Sequence, residues 1–176
     1  MLNERNQMIL LGVAFLSLIV FSYFANAVFF ATLGVIFQSQ ILGVMMIFIH
    51  NIIVVSLILL GMTFFVKLVE GGYFKGERHP NVLLEHPKIF AAIFAVMILL
   101  LGILRGTNLI FGSIIIELLP LILLISLPIG IVEGFGIYLT INKTLSKTIV
   151  TKDLIGIYGV FLLAAVIEVG IASVLR

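Results

Sequence analysis

Five polar residues that could carry chemistry interrupt otherwise apolar stretches of the chain. They are His50, Asn51, Glu117, Glu133 and Glu168. Where such stretches cross a bilayer, each ionisable group costs roughly 2.5–3.5 kcal/mol to insert, so it needs a partner or a purpose. Three carboxylates and one imidazole that converge in a helix bundle could carry a proton, bind a divalent cation or activate water.

A structural role is the competing interpretation of the same residues. Buried His and Glu side chains can hydrogen-bond across helices and only fix the packing, and Glu168 could reach the membrane interface. The chain has no HExxH zinc motif, no GxSxG nucleophile elbow and no GxxxxGK[ST] phosphate loop. It has no Cys, and its only Asp is Asp153, which excludes a thiolate nucleophile and the Asp pair of an aspartyl intramembrane protease. We therefore expect a protein without a cofactor, and a non-enzymatic function before an enzymatic one.

The composition places these residues in a membrane protein. Hydrophobic residues make up 62% of the 176 residues and charged residues only 10%, whereas a soluble domain carries roughly 25% charged residues. So little charge cannot cover a surface that faces water. The net charge of +2, with the basic residues gathered in two loops, indicates membrane orientation and no nucleic-acid partner.

Five apolar stretches predict an all-α transmembrane helix bundle that forms a single domain over residues 1–176. A hydrocarbon core of about 30 Å requires roughly 20 helical residues. The first stretch has about 30 residues against the ~7–15 of a signal-peptide core, so we interpret it as a span that the mature protein keeps. The predicted spans are residues 8–37, 41–66, 89–104, 109–141 and 154–175.

The fourth stretch is too long for one simple crossing, and we predict that it is broken. Pro120 and Pro128 each remove a backbone donor and oppose a continuing helix. A short helix or re-entrant arm is expected before about residue 126 and a full crossing after it, with Pro128, Gly130 and Gly134 as the helix-break motif. Gly130 and Gly134 also form a small-xxx-small pattern, which predicts a close helix crossing beside Glu133.

The distribution of Lys and Arg predicts the orientation in the membrane. If residues 109–141 cross once, eight basic residues fall on one side and two on the other, whereas two crossings place five on each side. Because basic residues are enriched in cytoplasmic loops, the single crossing is favoured. The sequence thus predicts five net crossings of the cell membrane, with the N-terminus and the loops 67–88 and 142–153 in the cytoplasm.

Two short motifs lie in the second and fourth stretches. The first is an Asn followed by a branched apolar residue three positions on and a Gly ten positions on, and the second is a Pro, a Gly and a Glu at a helix start. The motif residues are Asn51, Val54 and Gly61, then Pro128, Gly130 and Glu133. Their order, their separation and the five-span layout resemble the stage II sporulation protein M family. One position departs from that family's PHGxxE motif, since Ile129 stands in place of the His.

The resemblance implies a membrane anchor for a peptidoglycan-degrading complex in sporulating bacteria. Because the chain has no soluble domain that could act on cell wall, we expect a non-enzymatic scaffold that positions other membrane proteins. Asn51 is expected to donate to a neighbouring helix and Glu133 to accept, so that Glu133→Ala costs roughly 1–2 kcal/mol. Gly-rich faces, including Gly156 and Gly159 on the last helix, would allow a homodimer.

Two other functions remain open on this sequence. A transporter or channel with a midplane carboxylate site is the first, because broken helices beside a carboxylate mark such sites. An intramembrane metal-dependent hydrolase is the second, with His50 and one of Glu117, Glu133 or Glu168 as ligands.

Overall fold

The structure is a computed structural model, and it describes residues 4–36, 39–73, 83–111 and 119–174. The described residues form helices and their connections, without a strand, so the all-α prediction is confirmed. The helices are α1 (Glu4–Ile36), α2 (Gln40–Glu70), α3 (Pro87–Phe111), α4 (Leu119–Leu145) and α5 (Thr151–Val174).

Three of these helices are long and apolar enough to cross a membrane. The stretches that qualify are Asn6–Phe29 in α1, Gln40–Glu70 in α2 and Thr151–Ser173 in α5. In α3 the corresponding apolar part, Pro87–Leu100, is shorter than a full span. These three helices fit a membrane protein, because their length and apolar composition match the hydrocarbon core of a bilayer.

The consecutive helices α1 and α2, and likewise α4 and α5, pack antiparallel. The first turns of α1 lie against the end of α2, where Met8 contacts Gly71. The end of α2 also meets the end of α4, because Lys147 just after α4 forms an ion pair with Glu70. The middle of the bundle is α2, which packs against α1, α4 and α5, while α3 packs chiefly against α4.

The largest apolar core lies where α2, α3, α4 and α5 meet. Small residues of α3 allow close approach, since both Ala91 and Ala95 are buried. Between α4 and α5 the ring of Phe161 lies directly on Gly136. The buried members of this core are Val55, Val66, Ala91, Ala95, Ile137, Ile141, Leu145, Ile157 and Phe161.

One prediction about α4 is wrong. The helix runs without interruption from Leu119 to Leu145 with Pro128 inside it, so the expected break between Pro120 and Pro128 does not occur. Pro120 is the second residue of the helix, where its missing N–H has no intrahelical partner to lose. Pro128 removes one backbone hydrogen bond, which a membrane helix packed on both sides by other helices tolerates. Residues 109–111 belong to α3, and residues 112–118 lie outside the described chain.

The two predicted glycine faces have different outcomes. The close crossing at Gly130 and Gly134 is confirmed, because a Cβ on Gly134 would stand 2.7 Å from the side chain of Leu99 in α3. The face on α5 makes no close contact within the described chain, since a Cβ at Gly156 or Gly159 would meet nothing within 4 Å, so the homodimer that it would allow stays a prediction.

Ion pairs join the helix ends on the side of the bundle where α2 and α4 end and α5 begins. Glu70 pairs with Lys147 and, at 3.4 Å, with Lys67 of its own helix. Across the turn between α4 and α5, Lys143 lies 3.3 Å from Asp153. The Asp153 carboxylate also accepts from the backbone N–H of Val150 at 3.0 Å, which completes the start of α5. These contacts order the lysine-rich ends of the helices.

Candidate functional site

The two principal site candidates from the sequence meet directly. The Nδ2 of Asn51 in α2 donates to Oε1 of Glu133 in α4 at 3.1 Å. Asn51 is only 8% exposed, and Glu133 is half-buried. The expected hydrogen bond from Asn51 to Glu133 is therefore present. Glu133 lies in the middle of α4, however, and not near a helix start after Pro128.

The helical period of α2 explains why Asn51 points into the bundle. Ile47 lies one turn before Asn51 and Val55 one turn after it, so the three share a face. All three are buried. Ile47 forms a small apolar cluster with Ala165 and Val169 of α5. Ile47 and Val55 thus pack α2 against the neighbouring helices. Asn51 lies between them, where its buried side chain needs a polar partner.

Glu168 of α5 lies near the pair of Asn51 and Glu133. It adjoins Val169 of the apolar cluster in sequence and is half-buried. The carboxyl groups of Glu133 and Glu168 lie close enough to act on each other electrostatically. Two carboxylates at membrane depth repel one another, so a proton or a cation held between them would lower the energy of the pair. We call Asn51, Glu133 and Glu168 the polar triad.

The two remaining candidates are not part of the described triad. The ring of His50 stacks on Phe29 of α1, with the ring centroids 4.5 Å apart and the planes at 19°. His50 thus faces α1, since neighbouring residues of a helix point in different directions. Glu117 lies outside the described residues. Within the described ranges, no group of three or more His, Asp or Glu side chains is placed to hold a metal ion.

Gly130 and Gly134 lie beside Glu133 in α4, and they do not break the helix. Because both glycines face Leu99 of α3, α4 approaches α3 closely on that side. Glu133 then projects from α4 on a different side, toward α2. The helix α4 thus contacts α3 through its glycines on one side and α2 through Glu133 on another.

Sequence reasoning missed two features around the triad. One is the apolar contact of Ile47 with Ala165 and Val169. The sequence does not indicate this contact, because both helices are apolar on every side. The other is the ion pair of Glu70 with Lys147. The sequence contains a signal for this ion pair. Glu70 follows an apolar stretch, and Lys147 lies in a loop that is predicted on the same side of the membrane.

No family model, curated protein or solved structure matches the chain. The resemblance to the stage II sporulation protein M family therefore rests on the motif residues themselves, of which Asn51 and Glu133 are in contact.

Proposed function

We propose that the chain is a non-enzymatic membrane component that positions partner proteins, as its resemblance to stage II sporulation protein M implies. One observation carries the proposal. The polar residues of the two motifs, Asn51 and Glu133, hydrogen-bond to each other across α2 and α4. A pair of this kind supplies a specific helix contact in a medium where apolar surfaces attract one another only weakly.

The surroundings of the pair support a structural role. Asn51 is flanked on its face by buried Ile47 and Val55, and Glu133 is followed by Gly134 at a close helix crossing. Polar residues between tightly packed apolar neighbours fix the register of helices. A bundle with a fixed register presents its outer faces to partners in a constant arrangement.

The proposal includes five crossings of the cell membrane, with the N-terminus in the cytoplasm. The contacts at the helix ends support it, because the start of α1 lies at the end of α2, and the ends of α2 and α4 meet near the start of α5. The lysines beside the ends of α2 and α4, which include Lys67, Lys143 and Lys147, lie on one side and agree with the positive-inside rule.

Single cysteines test the topology cleanly, because the chain has no Cys of its own. We expect Asn6→Cys, Tyr73→Cys and Thr148→Cys to react with a membrane-impermeant maleimide only in inside-out vesicles. Ser39→Cys is expected to react only in right-side-out vesicles. A Thr148→Cys protein that reacts on the same side as Ser39→Cys would refute five crossings.

A crosslinking experiment tests the scaffold function. A photoreactive residue at exposed positions of α1, such as Leu16 or Phe24, should form discrete adducts with other membrane proteins in cells. Asn51→Ala and Glu133→Ala should weaken those adducts, because both changes loosen the register of the bundle. Asn6→Ala, an exposed Asn near the start of α1, is the matched control. Adducts that are unchanged in the two triad variants would contradict the proposal.

A transporter is the second candidate, and the proximity of Glu133 and Glu168, which lie within range of electrostatic interaction, favours it. Two carboxyl groups between helices can take up and release a proton or a cation. The broken helix that also pointed to transport is absent, since α4 is continuous. Reconstituted vesicles should show ion or proton flux that Glu133→Gln and Glu168→Gln abolish and Glu85→Gln preserves, Glu85 being exposed before α3. Flux equal to that of empty vesicles would exclude this function.

A further inference from the structure

We draw no further inference here: the strongest candidate, the side-chain cluster of Asn51, Glu133 and Glu168 between α2, α4 and α5, belongs to the site already described, and within the described residues no observation independent of the two carboxyl groups points to a ligand that it would hold.

Discussion

Replacement of Gly136 by Ala tests how tightly α4 and α5 pack. A Cβ at Gly136 would stand 2.6 Å and 2.8 Å from two ring atoms of Phe161, whereas carbon atoms in contact are normally about 3.5–4.0 Å apart. The ring would have to retreat by about 1 Å. Phe161 is only 2% exposed and lies in the core with Ile137 and Ile157, so the ring has no free space to enter.

The magnitude follows from two opposing effects. Forcing one extra methyl group into a packed core costs about 1–3 kcal/mol. Ala is preferred over Gly in a helix by up to about 1 kcal/mol, which offsets part of that cost. We expect Gly136→Ala to lower the free energy of unfolding by about 1–2 kcal/mol. Gly159→Ala in α5 is the matched control, because its Cβ would meet nothing within 4 Å, and a gain of up to about 1 kcal/mol from helix propensity is expected there.

Unfolding in mixed micelles, followed by circular dichroism as the fraction of sodium dodecyl sulfate rises, measures these values. Intrinsic Trp fluorescence is no option, since the chain has no Trp. Phe161→Leu removes the ring atoms that clash, so the double variant Gly136→Ala/Phe161→Leu should lose less stability than the sum of the single variants, by about 0.5–3 kcal/mol. A Gly136→Ala protein as stable as the Gly159→Ala protein would refute the reasoning, as would strictly additive losses.

Three further predictions use the same assay. A double-mutant cycle of Asn51→Ala and Glu133→Ala should give a coupling energy of about 0.6–1.7 kcal/mol for their hydrogen bond, and a value of zero would show that the bond adds nothing to stability. Lys147→Glu places a second negative charge beside Glu70. Because the pair is exposed, the loss of unfolding free energy should stay below about 1 kcal/mol and disappear near 1 M salt, where the Debye length is about 3 Å. A loss that persists at that salt concentration would indicate a packing effect. Gly134→Ala should cost less than Gly136→Ala, because its Cβ would meet only the end of a flexible leucine side chain at 2.7 Å, and an equal or larger loss would contradict this ranking.

Much of the polar triad could be expected from the sequence. A polar group in hydrocarbon has few possible partners, so Asn51 and Glu133, which interrupt different apolar stretches, were expected to meet, and they do. The proximity of Glu168 to Glu133 was open on sequence, because nothing in the spacing shows which face of α5 turns inward. His50 illustrates the same point, since it is adjacent to Asn51 and faces α1 through Phe29.

The sequence alone determined that the chain forms long apolar helices, because their length and lack of charge match the thickness and the chemistry of a bilayer. Only the tertiary structure decided that α4 continues through Pro128, since neighbouring helices exclude water and compensate one lost hydrogen bond. The tertiary structure also decided which glycines lie at helix contacts. Gly136 lies against the buried ring of Phe161, whereas Gly159 has no close neighbour within the described chain. The physical reason is that a helix that is apolar on every side has no amphipathic pattern, so its sequence does not indicate which face packs against neighbouring helices.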